Sequence, residues 1–128
     1  MGYLKATIVL LCITGGCEQA KTRNEMLRQK LVGDWYVESN SKRTLLTAGE
    51  DGKFVSRTLS GDKELSSCSG DWQVNNGRLE GTYRRASVAS VPIGKLDVST
   101  ILEVTDSYYV ITNRNGARVI YHRLKTAQ

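Results

Sequence analysis

The side chains of this 128-residue chain with the most reactive chemistry are three cysteines, one histidine and a scatter of carboxylates. With His122 alone, a histidine-based metal cluster has no second ligand, and only one imidazole is available as a general base. Its stretch alternates Ala117, Val119, Tyr121 and Arg123 against Arg118, Ile120, His122 and Leu124. That pattern makes His122 a surface or rim residue of a strand. Cys68 attacks only as a thiolate, and no residue beside it in sequence is placed to lower its pKa. As a small buried residue it needs no catalytic role. Ser69-Gly70 forms no nucleophile elbow, and acids such as Asp97, Glu103 and Asp106 stand singly. Neither catalysis, a metal nor a cofactor is expected.

The tyrosines carry binding chemistry instead. Tyr83, Tyr108, Tyr109 and Tyr121 lie in the later part of the chain. Period two puts Leu79, Gly81, Tyr83 and Arg85 on one face of a strand, mixing apolar, small and hydrogen-bonding groups. A polar ligand cavity has that character. So does a filled core with one arginine escaping at the rim. The candidate ligand contacts are Tyr83, Arg85, Tyr108 and Tyr121.

Positioning these residues falls to a series of hairpins. After Val32 the pattern becomes two-periodic with glycine or asparagine punctuation. Strands are expected at Trp35–Ser39, Arg43–Ala48, Lys53–Leu59, Glu64–Ser67, Asp71–Val74, Arg78–Arg85, Ser99–Thr105, Tyr108–Asn113 and Ala117–Leu124. The count is open by one around residues 64–69. Asp51-Gly52, Asn76-Gly77 and Asn115-Gly116 supply the positive φ that tight hairpin turns need. Every connection but one is short, so sequence neighbours should be spatial neighbours. The fold class is therefore all-β: an up-and-down antiparallel meander of about eight strands, closed into a small barrel that removes its own edges. A sandwich with the same meander is the alternative. The exception to the short turns, residues 86–96, is small and apolar, and reads as a lid, a contact surface or a core plug.

Composition agrees with a folded domain: 40% hydrophobic, 24% charged, and 12 glycines against one proline. The net charge of +5 is scattered without a basic stripe, which argues against a nucleic-acid partner. Cys12 and Cys17 fall at the N-terminus, leaving Cys68 with no partner for a disulfide in the body of the chain.

Residues 1–16 form an address. A short end with Lys5, an apolar run from Ala6 to Ile13 and the small Thr14-Gly15-Gly16 follow the order of a secretory signal. The run is shorter than the roughly 20 residues of a membrane span; a buried first strand is the other reading. The junction before Cys17 resembles the lipobox of bacterial lipoproteins, although Thr14 stands where that family usually has Leu. The resemblance implies cleavage between Gly16 and Cys17, a diacylglycerol thioether on Cys17 and, with Glu18 next, outer-membrane sorting in a diderm host. N-myristoylation at Met1-Gly2 is not expected, because Ala6 occupies the position that takes Ser or Thr. Residues 17–30 are polar with good helix formers, a tether that becomes a short helix with Met26, Leu27 and Leu31 as its apolar stripe.

The domain proper spans 31–128. Leu31-Val32-Gly33-Asp34-Trp35 carries a Gly-x-Trp, and Gly70-Asp71-Trp72 repeats it with the second of the two tryptophans. With Tyr121-His122-Arg123 near the end, this resembles small bacterial lipocalin-like (calycin-type) domains. The resemblance implies that an arginine from the end of the barrel, Arg123 first and Arg118 second, packs over Trp35 and makes that pair a structural hub. It further implies a lipid-anchored envelope protein whose barrel binds a small apolar or amphiphilic ligand. An interaction module that meets another envelope protein or a toxin through its loops is the competing expectation.

Overall fold

A computed structural model describes residues 21–125. Residues 1–16, expected to be a signal, and Cys17, expected to carry the lipid, lie outside them. Helix α1 covers residues 21–31 of the described chain. Lysine, arginine, glutamate, glutamine and leucine favour it, and Arg28 and Lys30 suit its negative C-terminal end. Leu31 is buried in the barrel core and Leu27 is half-buried at the i,i+4 spacing before it, whereas Met26 points to solvent at 54% exposure. The apolar stripe is therefore narrower than expected. The helix gives way at Gly33, whose φ of 137° turns the chain into the first strand.

Eight strands follow: β1 (Gly33–Ser39), β2 (Lys42–Ala48), β3 (Lys53–Ser60), β4 (Lys63–Asn75), β5 (Arg78–Ala86), β6 (Leu96–Val104), β7 (Tyr108–Thr112) and β8 (Arg118–Arg123). They pair antiparallel in sequence order into a closed barrel. Closure rests on a short seam, with Trp35 opposite Arg123 and Tyr36 opposite His122. The Leu124 N–H extends it by donating to the Asp34 carbonyl at 2.8 Å.

The turns explain the register. Asn40-Ser41 and Asn76-Gly77 are two-residue loops with positive φ at both positions, 49° and 65° in the first and 51° and 73° in the second. That is the type I′ geometry whose twist matches a hairpin. Asp51-Gly52 sits instead in a four-residue connection, where the Asp51 carboxylate accepts from the Lys53 N–H at 3.0 Å.

The expected fourth and fifth strands are one strand, β4, 13 residues long. What breaks the period there is a set of bulges, not a turn. Register shifts fall at Thr58/Leu59, Ser69/Gly70 and Ile101/Glu103, leaving Leu65, Arg84 and Leu102 as the extra residues. A bulge bends and twists the strand, which a small closed barrel needs. It also accounts for the outward exposure of Leu65 and Leu102.

Because strands alternate direction, α1, the β2–β3 and β6–β7 connections and the end of β8 share one end of the barrel. The core concentrates there: Leu31, Trp35, Ala48, Phe54, Trp72 and Tyr109 are all buried. Toward the opposite end the inward positions are small and hydroxylated. Thr44 and Thr58 hold their oxygens 3.2 Å apart, and Ser56 pairs with Cys68.

Candidate ligand site

The floor of the site is built from the last turn of α1. A helix end leaves carbonyls without partners, and three here are taken by barrel side chains. The Trp35 indole N–H donates to Leu31 at 2.8 Å. Arg123 donates from Nη2 to Lys30 at 2.8 Å and from Nη1 to Val32 at 3.3 Å. Its Nε reaches the Asp106 carbonyl at 2.7 Å, tying in the β6–β7 connection. The guanidinium carbon lies 4.1 Å from the Trp35 ring centroid, a cation over an indole face at the negative end of a helix. Gly33 is small because Arg123 passes it: a Cβ there would stand 2.5 Å from Nη1.

Trp72 makes a second arrangement of the same kind. Its indole N–H donates to the Gly49 carbonyl at 3.0 Å, and Arg28 of α1 lies 5.3 Å from its ring. Arg28 also donates to the Glu50 carbonyl, so the helix grips the β2–β3 connection as well.

Above this floor the barrel is not filled. A cavity of ≈ 150 Å³, partly open to solvent, lies between Trp72, Phe54 and Leu31 at its base and Tyr83, Tyr121 and Asp97 along its wall. The rings are held edge-on and stacked. Trp35 meets Tyr109 at 4.7 Å and 83°, Tyr109 stacks on Tyr121 at 4.9 Å, and Phe54 meets Tyr83 at 5.9 Å and 78°. Gly81, opposite Asp97 in the β5–β6 register, also lines the cavity, where a Cβ would stand 3.7 Å from the Phe54 ring.

The phenols and the thiol inside are tuned toward their neutral forms. Burial, then the nearby Asp97 charge, pushes the Tyr83 phenol up to about 12. Burial and the same charge raise Tyr121, and burial raises Tyr109 further. All three keep their O–H as donors at neutral pH. Burial also raises the Cys68 thiol against the opposing hydrogen bond from Ser56, the reverse of what a nucleophilic cysteine needs. No group of three or more His, Cys, Asp or Glu residues is placed to hold a metal ion among the described residues.

Of the four tyrosine and arginine positions expected to meet a ligand, the barrel brings together Tyr83 and Tyr121. Arg85 and Tyr108 are elsewhere. Arg84 is the extra residue of the β5 bulge, so parity flips there: Tyr83 pairs with Gly70 on the inside, while Arg85 pairs with Ser69 and is exposed. Tyr108 is one residue out of phase with inward Tyr109, and its hydroxyl donates to Glu103 at 2.9 Å on the outer surface. That contact raises the Tyr108 phenol. His122 also faces out, 5.5 Å from the Tyr36 ring.

Asp97 and Ser99 were not among the expected contacts. The seventh strand was expected to start at Ser99, which left Asp97 in a loop. β6 starts at Leu96, and Asp97, Ser99 and Ile101 alternate inward along it. The 87–95 connection is no core plug. Val88 and Ile93 are exposed, and none of its residues lines the cavity. It is moored by the Gly94 N–H to the Tyr83 carbonyl at 2.7 Å and by Ser87 to Ser67.

Among known proteins, no family model matches the chain and no curated protein matches it. The closed eight-stranded barrel is consistent with a lipocalin-like fold.

Proposed function

We propose that this chain is a lipid-anchored envelope lipoprotein whose lipocalin-like barrel binds a small apolar or amphiphilic molecule. The observation that carries the proposal is the interior cavity, with Tyr83 and Tyr121 on its wall. A ring-lined space with a few convergent polar groups is the ordinary form of a small-molecule site. The packing of Arg123 over Trp35, behind a Gly-x-Trp, supports the lipocalin likeness. The role is binding rather than catalysis, in keeping with a Cys68 thiol held in its neutral form. A module acting only through its loops has no use for the unfilled interior.

The anchor is proposed from the sequence around Cys17. Native mass spectrometry of the protein purified from its own host tests both parts together. The expected spectrum shows acyl mass on Cys17 and a retained small molecule. In a companion experiment, Cys17→Ser should leave the membrane fraction and keep its leader. A Cys17→Ser protein that stays in the membrane with unchanged processing contradicts the anchor. A barrel that never holds or takes up any small molecule contradicts the binding role.

A further inference from the structure

The charge lining the cavity restricts its ligand further than its size does. Asp97 and Glu80 border it, and among the described residues no lysine, arginine or histidine does, in a chain whose net charge is +5. Glu80 is already engaged on the outer face, where its carboxylate accepts from Gln73 Nε2 at 2.7 Å. Asp97 is the acid left facing the space. Its one side-chain contact among the described residues is the Tyr83 hydroxyl, at a long 3.5 Å. None of the ion pairs among the described residues uses it. A carboxylate has about four acceptor positions, so a single long contact leaves most of them free.

The remaining walls point the same way. Phe54, Trp72, Tyr83, Tyr109 and Tyr121 line the same cavity as the acid. Aromatic faces carry negative quadrupole charge and attract cations, most strongly where water is thinned out. An anionic ligand would meet Asp97 with no cation to compensate it. As for size, about 150 Å³ accommodates a molecule near that of benzene.

We propose that the cavity takes a small primary amine, with its ammonium group on the Asp97 carboxylate and its apolar part against Trp72 and Phe54. Ser99, two residues along β6 on the same inward face, offers a further oxygen to the nitrogen. This inference rests on the reading of the barrel as a ligand-binding one, and makes the amphiphile a cationic one.

The test is calorimetric titration of the full chain at neutral pH with three probes of one size: benzylamine, benzyl alcohol and benzoate. A charge-assisted hydrogen bond predicts benzylamine binding about tenfold or more tighter than benzyl alcohol, with benzoate weakest. Asp97→Asn should remove that preference and leave benzyl alcohol within about twofold. If Asp97→Asn does not fold, the wild-type ranking decides alone. Gly81→Leu, which puts a side chain into the cavity beside Phe54, should abolish binding of both benzylamine and benzyl alcohol. Benzyl alcohol binding as tightly as benzylamine, with both blocked by Gly81→Leu, overturns the amine proposal and leaves the binding barrel standing. Binding of none of the three overturns the amine proposal and removes its foundation too.

Discussion

Trp35 and Trp72 follow the same Gly-Asp pair, donate their indole N–H groups to backbone carbonyls and lie under arginines. Beyond that their surroundings diverge. Trp35 opens β1 and is 1% exposed; its carbonyl partner is in α1 and its arginine in β8, so it joins the two ends of the folded chain. Trp72 lies within β4, takes its arginine from α1 and turns a face to the cavity. The aspartates differ as well. Asp34 accepts from the Thr47 hydroxyl at 2.7 Å, while Asp71 is held by Lys53 at 2.5 Å and Arg84 at 2.9 Å. The same three residues form a latch in one place and a cavity wall in the other. Position in the register decides which, because it sets the strands that flank each copy.

Substitutions at matched positions separate the two copies. The largest effect is expected at the glycines. A Cβ on Gly70 would stand 1.9 Å from the Thr82 carbonyl oxygen, a backbone atom with nowhere to go. Gly70→Ala should cost about 4 kcal/mol or more, or prevent folding. At Gly33 the obstacle is the tip of Arg123, and the main penalty comes from the positive φ. Gly33→Ala should cost about 1–3 kcal/mol. Urea unfolding of both variants measures the difference, and equal losses would mean the β4–β5 bulge is looser than described.

The tryptophans come next. Trp35→Ala should lose about 3–5 kcal/mol, as for large buried aromatics. Trp72→Ala should lose about 1–2 kcal/mol less, since part of its surface faces unfilled space and gives up fewer contacts. The ligand response should invert that order, with Trp72→Phe weakening benzylamine binding more than Trp35→Phe does. A Trp35→Ala protein of near-normal stability would place the hub of the barrel elsewhere.

The smallest effect is electrostatic. Hydrogen bonds from Lys53 and Arg84 hold the Asp71 carboxyl below its ordinary value. A lowered folded-state pKa stabilises above the unfolded value of about 3.9, and that stabilisation fades as pH falls through the folded value. The melting temperature of Asp71→Asn should therefore lie slightly below wild type at neutral pH and converge with it in acid. Because the pair is at the surface, salt should shrink the gap. A gap that persists in acid would assign the loss to packing.

Much of the barrel is legible in the sequence because turns and period-two strands are local signals. Asn76-Gly77 announces its hairpin by the φ values it needs, and Trp35 marks the first strand. The side chains that face the cavity are less legible, since bulges shift the phase without a local mark. Arg84 as an extra residue turns Arg85 outward, and Gly70 in the facing strand, the one residue type there that suggests a bulge, does not say which strand carries the extra residue. Asp97 was hidden by a strand start placed three residues late, an acid next to a loop being indistinguishable from solvent-facing charge. The contacts of Arg123 with Lys30 and Val32 span over ninety positions and depend on barrel closure, so only a family likeness pointed to that arginine.

Fluorine NMR of the full chain labelled with fluorotryptophan tests the central claim most directly, because the two tryptophans report on latch and cavity in one spectrum. The signals are assigned with Trp72→Phe, and the protein is titrated first with benzylamine and then, separately, with benzyl alcohol. The account predicts that the Trp72 resonance shifts saturably while that of Trp35, shielded behind Tyr109, stays nearly fixed. Two signals that do not move with either probe, or a shift confined to Trp35, would contradict it.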